Sequence, residues 1–131
     1  MKKNTLLNQP ISTVIAGMGH KDTLTIGDCG LPIPEGPQRI DLALRKGIPA
    51  FVDTLETVLC ELYVEKVTIA REMKEVNPKL YSYMKTKFQD IEIEEIDHEE
   101  FKCRTRNSKA VIRTGECQAY ANIIIQSGVT F

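Results

Sequence analysis

Apolar residues in this chain change their spacing several times along its length, and that changing period limits the folds open to it. Ile11, Val14, Ile15 and Met18 recur at helical spacing behind Pro10, a residue suited to a first helical turn. Gly17 and Gly19 end that helix, so His20 sits just beyond its C-terminus. Residues 24–27 alternate as a short strand, and 39–44 alternate as a second. Gly47, Ile48 and Pro49 make a turn, with Pro49 opening a helix that carries Phe51, Leu55, Val58, Leu59 and Leu62. Residues 64–70 read as a strand. Asn77 and Pro78 predict an N-cap and first residue for a helix with Leu80, Tyr81, Met84 and Phe88 on one face. Ile91, Ile93 and Ile96 interleave with acids as an edge strand. Asp97 and Glu100 have the spacing of a capping box. Residues 109–114 and 119–125 predict two further strands, the last one buried. Helices alternating with strands predict an α/β fold: one domain over residues 1–131, of three-layer α/β/α type, around a mostly parallel or mixed central sheet.

Between the first two strands lies DCGLPIPEGP, residues 28–37, with three of the six prolines and two of the eight glycines. Such a segment is neither helix nor central strand. It predicts a stiff loop leaving a strand end, where open α/β sheets gather their ligands.

Composition excludes several function classes. With 42% hydrophobic and 27% charged residues in 131, the chain has globular composition, and disorder is not expected. Seventeen basic and eighteen acidic residues leave a net charge of −1, so nothing draws the chain to nucleic acid. Tryptophan is absent and aromatics are 6%, a poor supply for stacking bases. Apolar runs stop at about four residues, far short of the roughly 20 that span a bilayer. The start, MKKNTLLNQP, has two lysines, but Asn8, Gln9 and Pro10 interrupt any secretory core, so a mature cytoplasmic start is expected. Cys29, Cys60, Cys103 and Cys117 include no C-x-x-C pair, and reduced, buried or half-buried thiols are expected rather than a zinc site or a disulfide framework. No G-x-G-x-x-G, Walker or G-x-S-x-G motif is present.

The polar residues that remain are few. His20 is either a cap on helix-end carbonyls or a general acid/base near neutral pH. Asp28, at a strand end, either ties the loop as an Asx turn or meets a ligand. His98 lies in a first helical turn amid acids, with Lys102 one turn further on the same face. Tyr120, Ala121 and Asn122 open the last strand, which predicts that the phenol and the amide share one face as a grip for sugar hydroxyls. Eight residues separate His20 from Asp28. If they are extended at about 3.3 Å each, the two lie roughly 20 Å apart, too far for one small sugar. Either the turn after His20 folds back, or each pocket borrows residues from a neighbouring subunit.

The segments MGHKDTLTIGDCGLPIP, RIDLALRKGIPAF, VEKV, DHEEFK and AVIRTGE followed by YAN resemble the ribose pyranase family, which also includes fucose mutarotase. The likeness runs in order from about residue 5 to Phe131, and GLPIP after Asp28 resembles the pyranase branch. Lys21 departs from the pattern, where a smaller polar residue is expected. The resemblance implies interconversion of the β-pyranose and β-furanose forms of D-ribose, without cofactor or metal. It implies His20 as the catalytic acid/base and Asp28, His98, Lys102, Tyr120, Ala121 and Asn122 as substrate-binding. It further implies a cytoplasmic homodecamer of two stacked pentameric rings. A mutarotase for fucose or another monosaccharide, and a non-catalytic sugar-binding accessory of transport, are the competing readings.

Overall fold

Asn8 starts the first helix. Its Oδ1 accepts the Ile11 N–H at 3.0 Å, and Pro10 occupies the first turn of α1 (Gln9–Gly17). The computed structural model describes residues 1–131. Three further helices follow in the first two-thirds of the chain: α2 (Phe51–Leu59), α3 (Met73–Val76) and α4 (Pro78–Lys87). The last, α5 (His98–Arg104), runs into a single 3-10 turn, Thr105–Asn107. The strands are β1 (Thr23–Gly27), β2 (Gln38–Asp41), β3 (Val64–Ala70), β4 (Glu92–Ile96), β5 (Ala110–Arg113) and β6 (Ile123–Ser127).

These six strands form one mixed sheet in the order β2-β5-β1-β6-β3-β4. Only β6 runs antiparallel, pairing with β1 on one side and β3 on the other. Every other pairing is parallel. The carboxyl ends of five strands and the amino end of β6 therefore share one edge of the sheet.

Side-chain alternation sends Leu24, Ile26, Val67, Ile69, Ile112, Ile123 and Ile125 to one face. There they pack with Ile11, Phe51, Leu55, Val58, Met73, Leu80 and Met84 from α1–α4. Fully burying one such side chain is worth about 1.5–3 kcal/mol. The opposite face is covered more sparsely. Phe101 of α5 joins Leu31, Ile96, Val111 and Ile124 there. Thr25 is also buried, its hydroxyl 2.7 Å from Ser108 Oγ. The α/β/α layering is the expected one, with four helices against one.

Several local expectations are corrected. The second strand ends at Asp41 instead of residue 44, because the Asp41 carboxylate accepts the Ala43 N–H at 3.0 Å and turns the chain. Asn77 precedes Pro78 as expected but does not cap α4 with its side chain. Its amide donates instead to the Ala119 carbonyl at 3.2 Å, a bond made by tertiary packing. Asp97 does cap α5, accepting the Glu100 N–H at 2.9 Å. Glu100 does not complete the box, since Arg104 takes its carboxylate, which would otherwise return to the Asp97 N–H. The His98 N–H separately donates to Glu72 Oε1 at 3.1 Å. The last strand starts at Ile123, not at 119. Tyr120 has φ of 60°, a left-handed conformation incompatible with a strand, and its carbonyl accepts the Asn122 N–H at 2.8 Å. Tyr120 and Asn122 therefore do not share a strand face.

Candidate active site

Three loops converge beyond the shared carboxyl-end edge of the sheet, where α/β sheets hold ligands. One follows β1 and starts with Asp28. Another joins β5 to β6 and carries residues 116–120. The third leads from β4 into α5 and presents His98. Together they line a cleft of about 400 Å³ whose walls include Asp28, Cys29, Gly30, His98, Glu116, Cys117 and Tyr120. A hollow of about 200 Å³ between α1 and α2 is mainly apolar, and Asp53 is the one titratable residue among its lining, so the polar cleft is the candidate site.

Asp28 is held from two sides. The Gly30 N–H donates to its Oδ1 at 2.9 Å, an Asx turn. Asn122 Nδ2 donates to its Oδ2 at 2.9 Å, while the Asp28 N–H donates back to Asn122 Oδ1 at 2.9 Å. Asn122 is buried, with both its Nδ2 and its Oδ1 hydrogen-bonded to Asp28, so it orients the Asp28 carboxylate. Ala121 is buried beside it. Gly27 leaves room here: a Cβ would stand 2.5 Å from Leu31 Cδ2 and 3.0 Å from Asn122 Oδ1, so it would displace Leu31 and press on Asn122.

His98 and Tyr120 meet edge to face, with ring centroids 5.0 Å apart, and His98 stacks on Phe101 at 6.1 Å. His98 Nδ1 is buried without a hydrogen-bond partner, as is Glu72 Oε2. Glu116 organises the loop below Tyr120: its Oε1 accepts the N–H groups of Cys117 and Gln118 at 2.9 and 3.0 Å, and its Oε2 accepts that of Phe51 at 3.3 Å. Lys102 lies elsewhere. Its Nζ pairs with Glu99 Oε1 at 2.6 Å, over a shallow groove formed with Pro32, Ile33 and Pro34.

His20 is at the other end of the sheet. It follows α1, in a turn where the Gly19 N–H donates to Asp22 Oδ2 at 2.9 Å and Lys21 takes a φ of 68°. The Lys21 N–H donates to the Ser127 carbonyl, fixing the turn to the carboxyl end of β6. His20 Nε2 lies 2.8 Å from Glu65 Oε2, at the start of β3. Gln126 Nε2 donates to Glu65 Oε1 at 2.6 Å. These bonds, from Gln126 first and then His20, hold the Glu65 carboxyl below its ordinary value of 4.5. The turn does not fold back, since all of β1 lies between His20 and Asp28. Within one chain the structure brings Asp28, His98, Tyr120, Ala121 and Asn122 together, and leaves His20 and Lys102 apart from them.

Glu65 and Glu116 carry no motif of their own in the sequence. Glu65 lies in VEKV and Glu116 in RTGE, segments that read locally as strand and turn and otherwise carry only the family resemblance, with no role for either glutamate. The cysteines differ from expectation too. All are reduced, but Cys60, Cys103 and Cys117 are exposed, and only Cys29 is half-buried.

Residues 1–130 match the RbsD / FucU transport protein family. The chain belongs to that family. Among relatives of this RbsD / FucU protein, a D-ribose pyranase of Clostridium perfringens is 54% identical, over the whole of both chains. One of Geobacillus thermodenitrificans is 52% identical over all of this chain and 99% of the relative. The structure of Bacillus subtilis RbsD complexed with D-ribose superposes with a TM-score of 0.97 at 46% identity, covering both chains fully. The fucose mutarotase of Streptococcus pneumoniae, solved with L-fucose, shares the fold at a TM-score of 0.81 and 19% identity, again over both whole chains.

Proposed function

We infer that this protein is a D-ribose pyranase, an isomerase that interconverts the β-pyranose and β-furanose forms of D-ribose. One observation carries the reading: a polar cleft with Asp28, His98 and Tyr120 at the strand ends, in a chain that matches D-ribose pyranases from end to end. The fucose mutarotase of Streptococcus pneumoniae shares the fold at only 19% identity.

Changing ring size means opening the hemiacetal and reclosing it on another hydroxyl. Opening takes a proton from the anomeric hydroxyl and delivers one to the ring oxygen. Closing reverses both. His20 is the proposed acid/base, suited to run either way. Glu65 occupies its Nε2, leaving Nδ1 for the sugar. Asp28, His98, Lys102, Tyr120, Ala121 and Asn122 are the proposed substrate-binding residues. Asp28 accepts from sugar hydroxyls, Tyr120 donates or accepts, and Asn122 acts by aiming Asp28.

His20 and Asp28 lie at opposite ends of one sheet, which supports a composite pocket at a subunit interface. One subunit supplies the His20 end and its neighbour the cleft. Such head-to-tail contacts close into rings. Apolar side chains stand exposed at both ends: Tyr63 beside Glu65, and Leu44 and Ile48 in the loop near Gly115. We propose a decamer of two stacked pentameric rings, each subunit one pyranase domain over residues 1–131, working in the cytoplasm. No helix is long and apolar enough to cross a membrane.

The test is NMR exchange on ¹³C-labelled D-ribose, following transfer between β-pyranose and β-furanose signals. The native protein accelerates exchange above the buffer rate, and His20→Ala loses about 10²–10⁴-fold of that acceleration. Binding of ribose without acceleration would instead identify a sugar-binding accessory protein.

A further inference from the structure

Two thiols share the wall of the sugar cleft. Cys29 follows Asp28 in the loop after β1, and Cys117 stands three residues before Tyr120 in the loop after β5. Their sulfur atoms are 3.6 Å apart although 88 residues separate them in sequence. The backbones that carry them are already joined. The Cys29 N–H donates to the Glu116 carbonyl at 2.8 Å, Arg113 Nε donates to the Cys29 carbonyl at 3.0 Å, and the Cys117 N–H donates to Glu116 Oε1 at 2.9 Å. A disulfide has its sulfurs about 2.05 Å apart, so bonding closes a gap of about 1.5 Å, by side-chain rotation and by drawing together two loops that already lie side by side.

We propose that Cys29 and Cys117 form a reversible thiol–disulfide site, and that its oxidation by a hydroperoxide shuts down the sugar cleft, a step that rests on this cleft being the pyranase site. A cleft that admits a pentose admits a hydroperoxide. Cys117 is the exposed thiol and reacts first. Its thiolate attacks one peroxide oxygen, the O–O bond breaks, water or an alcohol leaves, and the sulfur becomes a sulfenic acid. Cys29 Sγ then attacks that sulfur. The S–S bond forms, the S–O bond breaks, and the Cys29 proton leaves in a second water. Sulfur is oxidised and peroxide oxygen reduced. The hydrogen bond to Cys117, and then burial, push the Cys29 thiol up from its ordinary value of 9.0, so Cys29 reacts after Cys117 and gives up its proton as it attacks the sulfenic acid. Closing the bond draws the Asp28 loop towards the Tyr120 loop. A displacement of about 1 Å in groups that hold a substrate costs on the order of 10²-fold in rate. Cys60 and Cys103 lie against no other thiol and make an internal control, Cys60 donating instead to the Glu56 carbonyl.

The experiment treats the full-length C60S/C103S protein with hydrogen peroxide. Intact mass and peptide mapping follow the crosslink, and ¹³C-ribose exchange follows activity, before and after dithiothreitol. The expected result is loss of two hydrogens, a peptide crosslinked between Cys29 and Cys117, and exchange slowed roughly 10- to 100-fold, all reversed by dithiothreitol. Adding C29S to that background gives no crosslink, only a Cys117 sulfenic acid that dimedone traps. Failure of the crosslink to form, or a crosslinked protein that exchanges ribose as fast as its reduced form, overturns the proposal. A reduced native protein that does not accelerate exchange overturns the pyranase reading instead. The crosslink is still scored by mass, and its effect on the cleft by movement of the His98 and Tyr120 NMR signals, unmoved signals counting against it.

Discussion

His20 has a carboxylate partner, and the partner defines what the imidazole can do. Glu65 is itself held by Gln126, so the pair is anchored to two strands. Glu65 positions His20 without reaching the cleft of its own chain. Glu65→Ala therefore lowers kcat on the order of 10²-fold by freeing the ring, with KM changed little. Glu65→Gln, which keeps a side chain able to hydrogen-bond, recovers part of that loss. Ribose exchange measured over a range of ribose concentrations separates the two constants. An equal fall in kcat/KM through KM alone would place Glu65 in substrate binding. Asp28 shows the same principle at the other end. Its carboxylate direction depends on Asn122, which lies so close to Gly27 that a Cβ there would press on its Oδ1 at 3.0 Å.

Among the elements, α5 has the largest task for its size. It is a seven-residue helix, too short to be stable alone, and it carries His98 at its first position. Asp97 caps it and Phe101 anchors it to the sheet, fully buried and stacked under His98. Phe101→Ala should cost about 3–5 kcal/mol of stability, read as a lower urea midpoint. It should also displace His98, read as shifted His98 and Tyr120 NMR signals. A variant that lost stability but kept those signals in place would show that the cap alone positions His98. Helices and strands of this chain were legible where one period ran long enough, as in α1, α2 and β3. The short α3 was not legible, and the segment at 119–122 was misread as strand. Its residues look apolar and extended, but a tertiary bond from Asn77 and a left-handed Tyr120 shape it.

The whole molecule adds two consequences. The carboxyls of Asp22, Asp41, Glu56, Glu65 and Glu94 all sit below their ordinary values, held there mainly by hydrogen bonds and nearby cations. Each binds fewer protons folded than unfolded. Their contribution is complete above the ordinary carboxylate range and is lost as pH falls through the lowered values. Lys66 is raised above 10.5, chiefly by Glu94, so its contribution is complete below that and lost as pH climbs through the raised value. Urea midpoints should therefore be flat from about pH 5 to 9 and fall below about pH 4.5. A midpoint that rose on acidification would contradict these ion pairs. The second consequence concerns assembly. If the pocket is composite, His20→Ala and Asp28→Ala proteins, each inactive alone, should regain about a quarter of the native exchange rate when refolded together, by random pairing at each interface. Mixed protein as inactive as its parents would put the whole site in one chain.

Order along the chain determined the elements, the stiff loop after β1 and the residue types able to handle a sugar. Those follow from local physics: side-chain period, proline and glycine stereochemistry, and capping within a few residues. The sequence also implied a separation between His20 and Asp28, because a strand between two residues keeps them apart. Only the tertiary structure decided that Glu65 meets His20, that Asn122 aims Asp28, and that Cys29 meets Cys117. Each of those pairings depends on strand order and on which ends share an edge of the sheet, and short-range spacing does not encode them.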